Sequence, residues 1–330
     1  MRYIKSPSTD AKFNLALEQY VFDRMDRSQS YFMLWQNDHA VIIGKHQNTI
    51  GEINEPYVRE HHIDVVRRLS GGGAVYHDLG NLNFTFIVSE GDGLQSFDFS
   101  VFCRPIVQAL AHFGVEAQIN GRNDMTIAGK KFSGNSQYAK QGRIMHHGTI
   151  LYDSDLDMVS KALQVSQDKI VSKGVQSVRS RVTNVREYMK EDIPVEAFWE
   201  KLEQYMAAET GMQAYTLTEE DIARIRVIQQ QRYDTWEWNY GASPQYRIRK
   251  ERRFEGCGKV EAYMEVEKGI LHQLDFYGDY FGNGEKQQLI DALIGSKMEE
   301  SALQKRLEDI DVGEYVCHLT QKDLIALLLQ

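Results

Sequence analysis

Lys131, in the run AGKKFSG, is the residue whose type and setting could do the most chemistry. Read as a strand, residues 131–138 put Lys131, Ser133, Asn135 and Gln137 on one face and Phe132 and Tyr138 on the other, because successive strand side chains alternate. A polar face where a sheet core wants apolar groups marks a ligand site. A lysine ammonium is a compact point charge that can sit on one oxygen shared between a carboxylate and a phosphate; the plain alternative is a surface lysine. Upstream, Arg67 and Arg68 lead into Gly71, Gly72 and Gly73. Lacking Cβ atoms, these glycines can take φ > 0 and bring backbone N–H groups close to a bulky anion. That suits a phosphate or an acyl phosphate, although a glycine triplet alone also fits an ordinary connection. Neither GxGxxG nor GxxxxGK[ST] can be written here: Tyr76 stands where the next glycine is required, and no Lys-Ser/Thr follows.

His146 and His147 precede Gly148 and Thr149 in HHGTIL and fall on opposite faces of a strand. A two-histidine metal site needs both on one side with a carboxylate, so zinc is excluded. A hydrogen-bonding role and a satisfied structural histidine remain. The cluster Lys45, His46, Gln47 and Asn48 reads as a solvated loop, and Tyr76, His77, Asp78 and Asn81 crowd polar groups between the glycines and the next strand. The stretch SKGVQSVRSRVTN, residues 172–184, is basic through Lys173, Arg179 and Arg181, either a loop beside an anionic ligand or a plain connector.

The elements that must position these groups can be read from periodicity. After the glycines, Leu82, Phe84, Phe86 and Val88 alternate with Asn83, Thr85 and Ser89, the pattern of a half-buried strand. Asp10 is placed to cap a packing helix over 10–26. Residues 31–35 and 40–44 predict a hairpin, 53–62 a helix and 63–67 a strand feeding the glycine loop. A helix over 97–113 carries Pro105 and ends at Gly114; its Cys103 reads as a small buried hydrophobe. Strands joined by turns at 120–124, 128–134 and 140–143 span 115–152. Helices follow at 195–209 and 219–233, the latter with a capping-box-like start at Thr218 and Asp221. Residues 236–244 break the periodicity, so the expected domains are 1–243 and 244–330. The second is a small α+β unit with strands at 246–254, 260–266 and 270–277 and helices at 285–294, 299–308 and 320–329. Arg247, Arg249, Lys250, Arg252 and Arg253 suit either a charge-protected edge strand or a surface for an acidic partner.

Composition bounds the rest. A chain of 330 residues with 42% hydrophobic and 26% charged residues describes a globular protein with a sizeable core. A formal charge of -9 argues against a general nucleic-acid binder. Three scattered cysteines, Cys103, Cys257 and Cys317, provide no disulfide framework. No signal peptide and no membrane-length apolar run is visible, so a cytoplasmic location is expected, with neither membrane nor nucleic acid as partner.

Taken in order, RRLSGGGAVYHDLGNLNFTF, GRNDMTIAGKKFSG, HHGTIL and SKGVQSVRSRVTN resemble the lipoate-protein ligase family in its long form with a C-terminal accessory domain. The resemblance runs from the helix containing NLALE to the end of the chain. It implies an α+β fold: a catalytic domain similar to biotin ligases and octanoyl transferases, with a central β-sheet flanked by helices, plus the small α+β domain. It also implies a two-step reaction. Lipoate attacks the α-phosphate of ATP to give lipoyl-AMP and pyrophosphate, and a lysine of an acceptor domain then takes the acyl group. On this resemblance Lys131 is the catalytic residue, bridging the lipoyl carbonyl and the α-phosphate. ATP and adenylate contacts fall to Arg68, Gly73, Ala74, Val75, Tyr76, Asn81, Asn123, Asp124 and Lys131. Lipoate contacts fall to Ser70, Gly71, Gly72, His77, Lys131, His146 and Gly148. Mg2+ is implied by ATP, with Asp124 as its candidate ligand. The implied partners are lipoyl-acceptor domains, of 2-oxoacid dehydrogenase E2 subunits or of the glycine cleavage H protein.

Two rivals are carried alongside. An acyl transferase of the same fold working through a cysteine thioester needs a thiolate at the cleft, and all three cysteines lie outside the motif stretches. A non-catalytic binder of lipoyl-AMP or of a lipoyl domain would keep the same residues and release no pyrophosphate.

Overall fold

The computed structural model describes residues 1–90, 98–121, 123–163, 181–240, 248–267 and 269–329. Its main element is an eight-stranded mixed sheet of order β11-β1-β2-β6-β10-β9-β8-β7. The strands are β1 (Arg2–Lys5), β2 (Tyr31–Trp35), β6 (Asn81–Ser89), β7 (Ala117–Asn120), β8 (Asp124–Ile127), β9 (Lys130–Lys140), β10 (Arg143–Leu151) and β11 (Gln213–Ala214). A second sheet of order β4-β3-β5 holds β3 (Ala40–Ile43), β4 (Asp64–Arg67) and β5 (Val75–His77). Helices Ser100–His112 and Val195–Thr210 cover one face of the large sheet, and helix Ala11–Arg24 covers part of the other.

The predicted hairpin over 31–44 does not form. β2 pairs with β1 and β6, whereas β3 pairs with β4 and β5. Both strands are buried along their whole length, so each needs a layer on both faces, which a two-stranded hairpin cannot provide. The connection is held instead by Asn14, whose Nδ2 donates to Gln36 O at 2.7 Å and to Asn37 Oδ1 at 2.9 Å. Helix Ala11–Arg24 starts at the expected cap, Asp10 accepting from Lys12 N. Its last carbonyls are met by Arg143, which is fully buried and donates to Phe22 O at 2.6 Å and Met25 O at 3.3 Å. A cation at a helix C-terminus is favourable, and here it ties the helix to β10.

Strand alternation gives the large sheet two different faces. On β6, Phe84 and Phe86 join the core under helix Ser100–His112, while Asn83 and Thr85 point the other way. Register then extends the polar face across neighbouring strands: Asn83 lies opposite Trp35 and Thr149, Thr85 opposite Met33 and His147, and His147 opposite Ser136. One irregularity matters here. Between β8 and β9, Met125 pairs with Ser133 but Thr126 pairs with Lys131, leaving Phe132 as the extra residue of a β-bulge. A bulge reverses which face the following residues take. Lys131 therefore does not share a face with Ser133, Asn135 and Gln137, as a regular strand would require. Asn135 Nδ2 donates to Ser133 Oγ at 3.2 Å, and Asn135 Oδ1 and Gln137 Nε2 meet the His146 ring, on the side of helix Ser100–His112.

The C-terminal unit has its own sheet, β12 (Ile248–Phe254), β13 (Gly258–Glu267) and β14 (Ile270–Gly278), and its own core with helices Lys286–Leu293, Glu300–Leu307 and Gln321–Leu329. Arg249, Lys250, Arg252 and Arg253 lie on the edge strand β12, as one of the two readings of the basic run expected, and Arg247 lies outside the described residues. The expected boundary at 243/244 lies outside the described residues. The unit docks on the glycine turn through backbone bonds, Gly72 N donating to Tyr280 O at 3.3 Å and Gly278 N to His46 O at 2.7 Å. His46 and Tyr280 stack at 4.5 Å across the seam. Among the described residues no helix is long and apolar enough to cross a membrane.

Candidate active site

A cavity of about 320 Å³ lies on the polar face of the large sheet, under the glycine turn. Trp35 of β2, Asn83 of β6, His147 and Thr149 of β10, Lys131, Gly134 and Ser136 of β9 and Asp124 of β8 all line it. These are five adjacent strands, so at ~4.8 Å between strands the trough runs about 19 Å across the sheet. Leu15, Ile42 and Val75 join Trp35 at one end; Asn123, Arg181, Arg253 and Asp279 join Lys131 at the other. An apolar slot thus opens into a charged vestibule.

Lys131 closes an ion pair with Asp124 at 2.7 Å, both side chains being more than one-third exposed. Its ammonium lies over Gly134, where a Cβ would stand 3.0 Å from Nζ. Asn123 and Asn135 lock the neighbouring strand ends by exchanging backbone and side-chain bonds, Asn123 Nδ2 donating to Asn135 O at 2.6 Å. Gly72 and Gly73, with Ala74 and Val75, form the facing wall. Gly72 sits at φ +86, a conformation for which glycine is required. The lysine and the glycine turn therefore face one cavity.

Arg68 lines that cavity but is largely occupied. Nη2 donates to Gly71 O at 2.7 Å and Gly73 O at 2.8 Å, Nη1 to Ile42 O at 3.1 Å, and Nε to Ser70 Oγ at 3.1 Å. It is a staple for the turn. Burial pulls its guanidinium down to about 10, so it stays charged at neutral pH. Ser70 continues inward: its Oγ meets Nε2 of His147 at 2.6 Å, and Nδ1 of His147 meets the buried Glu18 carboxylate at 2.9 Å. Thr85 Oγ donates to the same carboxylate and accepts from Trp35 Nε1 at 2.9 Å. Arg68 Nε donates to Ser70 Oγ, which bridges to His147 Nε2, and His147 Nδ1 donates to the Glu18 carboxylate.

Several expected contacts take other positions. His146 faces the helical core, stacked on Phe102 at 4.8 Å and held well below the usual histidine range by burial; its neighbour His147 is the one in the trough. Alternation along β10 permits only one of the pair. Ser70 and Gly71 lie behind the wall, Gly71 O accepting from Ser136 Oγ at 2.8 Å. Tyr76 sends its ring into the core of the small sheet, which leaves its backbone as the part available to a ligand. Asn81 is buried and donates to Asn83 Oδ1 at 2.9 Å. Gly148 lines the trough because any Cβ would strike Asn135 Oδ1 at 2.2 Å and Phe84 Cζ at 2.5 Å on the reverse side. His77 stands in the wall. Arg181 is the one basic residue of the 172–184 stretch seen in the trough; positions 172–180 lie outside the described residues. Sequence reasoning missed Glu18, Trp35, Asn83 and Asp279, and it singled out His147 and Arg253 without placing either in the trough. Glu18 carried a usable signal, an acid inside the apolar stripe NLALEQY; Asp279 carried none, because it reaches the trough from the other unit.

A trough that leads an apolar slot to a lysine and a backbone-lined glycine turn defines a class of enzyme, one that holds a long-chain acid while its carboxylate is joined to a phosphate. Residues 10–207 match the lipoyl protein ligase A/B catalytic domain, and residues 243–328 match the bacterial lipoate protein ligase C-terminus. The chain is 42% identical to lipoate-protein ligase LplJ of Bacillus subtilis (strain 168) over 322 residues, 97% of each chain. It is 40% identical over 329 residues to lipoate-protein ligase 1 of Staphylococcus aureus strain Mu50, covering 99% of this chain and all of that one. The chain belongs to the lipoate-protein ligase family and is an enzyme of that kind. Among solved structures, its fold follows that of P. falciparum LipL1 in complex with lipoate, with a TM-score of 0.81 at 23% identity, over 100% of this chain and 99% of the other. A lipoate-protein ligase A bound with ATP superposes with a TM-score of 0.63 at 27% identity, covering 73% of this chain and 98% of that one.

Proposed function

We propose that this trough carries both halves of an ATP-dependent lipoylation, with Lys131 as its charged centre. The observation that carries the reading is the Lys131 ammonium lying over Gly134 in the cavity walled by Gly72 and Gly73. In the first half the lipoate carboxylate attacks the α-phosphorus of ATP and pyrophosphate leaves. Negative charge grows on the phosphoryl oxygens, where the ammonium and the backbone N–H groups of the turn oppose it. In the second half an acceptor lysine attacks the carbonyl of lipoyl-AMP and AMP leaves, with Lys131 polarising that carbonyl. Asp124 holds the ammonium in place before substrate arrives. Leu15, Trp35, Ile42 and Val75 take the acyl chain.

Mg2+ fits as an ion carried largely by the nucleotide. Among the described residues no group of three or more His, Cys, Asp or Glu could cage a metal; a nucleotide's Mg2+ is ordinarily held by one or two carboxylates, phosphate oxygens and water. Asp124 would supply that carboxylate, and the ion would neutralise phosphate charge. The acceptors proposed are the lipoyl domains of 2-oxoacid dehydrogenase E2 subunits or the glycine cleavage H protein, in the cytoplasm.

The thioester alternative finds no thiolate. No cysteine lines the cavity: Cys103 lies behind the sheet, where burial pushes its thiol up to about 12, Cys257 is buried in the C-terminal core, and Cys317 packs against the core behind the sheet. The test supplies ATP, Mg2+, lipoate and each candidate acceptor domain, following pyrophosphate release and intact mass. Pyrophosphate with a lipoyl mass increment on one acceptor supports the reading; acylation without ATP would overturn it.

A further inference from the structure

Two charged residues of the C-terminal unit, Arg253 of β12 and Asp279 just after β14, line the cavity together with Lys131 and Asn123. They form an ion pair, Arg253 Nη2 standing 3.2 Å from Asp279 Oδ2. Asp279 is the fixed partner. Its side chain is 14% exposed, its Oδ1 accepts from Lys259 N, and its own N–H donates to Lys259 O at 3.2 Å. The next residue, Tyr280, takes the Gly72 N–H on its carbonyl, and Phe281 packs against Phe99 at 5.5 Å. These contacts bring the Arg253 guanidinium to the cavity walled by Gly72 and Gly73.

The cations that line the cavity do different work. Arg68 gives its donors to Ile42 O, Gly71 O, Gly73 O and Ser70 Oγ, and the reading above assigns Lys131 to the reacting carbonyl and the α-phosphate. Arg181 and Arg253 are left, among the described lining residues, to face the rest of a triphosphate. The ion pair with Asp279 gives Arg253 a set direction. A guanidinium carries five N–H donors in a rigid fork that matches phosphate oxygens two at a time. Asp279 engages Nη2, and the Arg253 side chain is 35% exposed, so the rest of the fork is open to a ligand. The pair is also neutral. Without Arg253, a bare carboxylate would face any phosphate bound there.

We propose that Arg253 binds the β- and γ-phosphates of ATP and holds them as pyrophosphate leaves, with Asp279 as its positioning residue. The proposal rests on the ligase reading and adds to it a substrate contact supplied by the C-terminal unit. In that step a carboxylate oxygen bonds to the α-phosphorus while the bond from the α-phosphorus to the bridging oxygen breaks. The electron pair stays on that oxygen, and no proton moves to or from Arg253. Charge gathering on the departing diphosphate meets donors already aimed at it. Lys131 serves both halves of the reaction, whereas Arg253 serves only the first, because lipoyl-AMP has neither a β- nor a γ-phosphate. A charge that only protected the edge of β12 would have no reason to reach the cavity.

The test uses the full chain and reads two half-reactions separately: pyrophosphate release from ATP, Mg2+ and lipoate at varied ATP, and transfer from chemically prepared lipoyl-AMP to a lipoyl domain by intact mass. Arg253→Ala should lower kcat/KM for ATP about 10- to 100-fold, the worth of hydrogen bonds to a charged group, with a much smaller change in transfer. Arg253→Lys keeps the charge without the fork and should recover part of the loss; it also answers the question if Arg253→Ala fails to fold. In Arg253→Ala/Asp279→Ala the bare carboxylate is gone, and adenylation should stay below wild type. Adenylation unchanged in Arg253→Ala, both halves slowed alike, or full recovery in the double variant would each overturn the proposal. A wild-type protein that releases no pyrophosphate would instead overturn the ligase reading beneath it.

Discussion

Removing the Lys131 ammonium separates chemistry from folding, because the side chain fills no core. Lys131 is 38% exposed and its partner Asp124 36%. An ion pair that open contributes at most about 1 kcal/mol once solvent screening is counted, and Asp124 regains water when the lysine is lost. Lys131→Ala should therefore change unfolding free energy by less than ~1 kcal/mol and melting by no more than ~4 °C. Its effect on rate should be far larger. Loss of one preorganised charge-stabilising donor slows a reaction about 10²- to 10³-fold. Gly134→Ala supplies the companion perturbation, since the new Cβ would meet Nζ at 3.0 Å and Cε at 3.2 Å. The charge is kept but must move, and a misplacement of ~1 Å can cost about 10²-fold. Single-turnover pyrophosphate release and transfer from preformed lipoyl-AMP should both slow in Lys131→Ala, with Gly134→Ala between it and the wild type. The reasoning is refuted if Lys131→Ala adenylates at the wild-type rate, or if its activity disappears only because its melting temperature collapses.

Acid should unfold this protein through its buried histidines. His77, His46 and His146 are all held below the ordinary histidine range by burial, His77 to about 3. Below about pH 6.5 the unfolded chain binds protons that the fold does not, so each histidine removes up to ~1.4 kcal/mol per pH unit. Their contribution is complete above pH 6.5 and is lost as pH falls from there toward 3; urea unfolding that gave equal stability at pH 7.5 and 5 would contradict this. Gly72→Ala should strain the turn, because φ there is +86 and a Cβ would lie 3.0 Å from the Phe281 ring and 3.1 Å from Arg68 Nη2. A left-handed non-glycine residue costs about 1–2 kcal/mol, so adenylation should slow while the C-terminal unit becomes more open to limited proteolysis. Wild-type behaviour in both assays would show that the turn tolerates the side chain.

What could be read from the sequence was whatever depends on local period. The alternation from Leu82 to Val88 gave β6 and its buried face, and the Thr218–Asp221 capping box forms as expected. What could not be read depends on partners distant in sequence. Nothing in AVII distinguishes a strand that pairs with YFMLW from one that starts another sheet. The bulge at Phe132 is visible only once β8 supplies the register, and it decides which of Lys131 and Ser133 enters the trough. His146 and His147 are equivalent as letters; the helix packed behind β10 makes one of them core and the other wall.

Arg68 shows the same limit in a form that bears on mechanism. An arginine before three glycines suggests a side chain aimed at phosphate, yet four of its hydrogen bonds go to Ile42 O, Gly71 O, Gly73 O and Ser70 Oγ. A guanidinium this buried needs an anion, and Glu18 supplies it through His147 and Ser70. The glycines are therefore not a loose loop that an anion must organise. Their carbonyls are pulled inward onto a charge fixed by helix Ala11–Arg24. Because peptide groups are planar, drawing the Gly73 carbonyl to one side turns the N–H of Ala74 to the other, whereas the Gly72 N–H is already given to Tyr280 O. Donors held this way lose little freedom when charge develops in front of them, which is the condition under which backbone dipoles accelerate a reaction. On the proposed reading, Arg68 serves adenylation by holding the turn that would meet the phosphate.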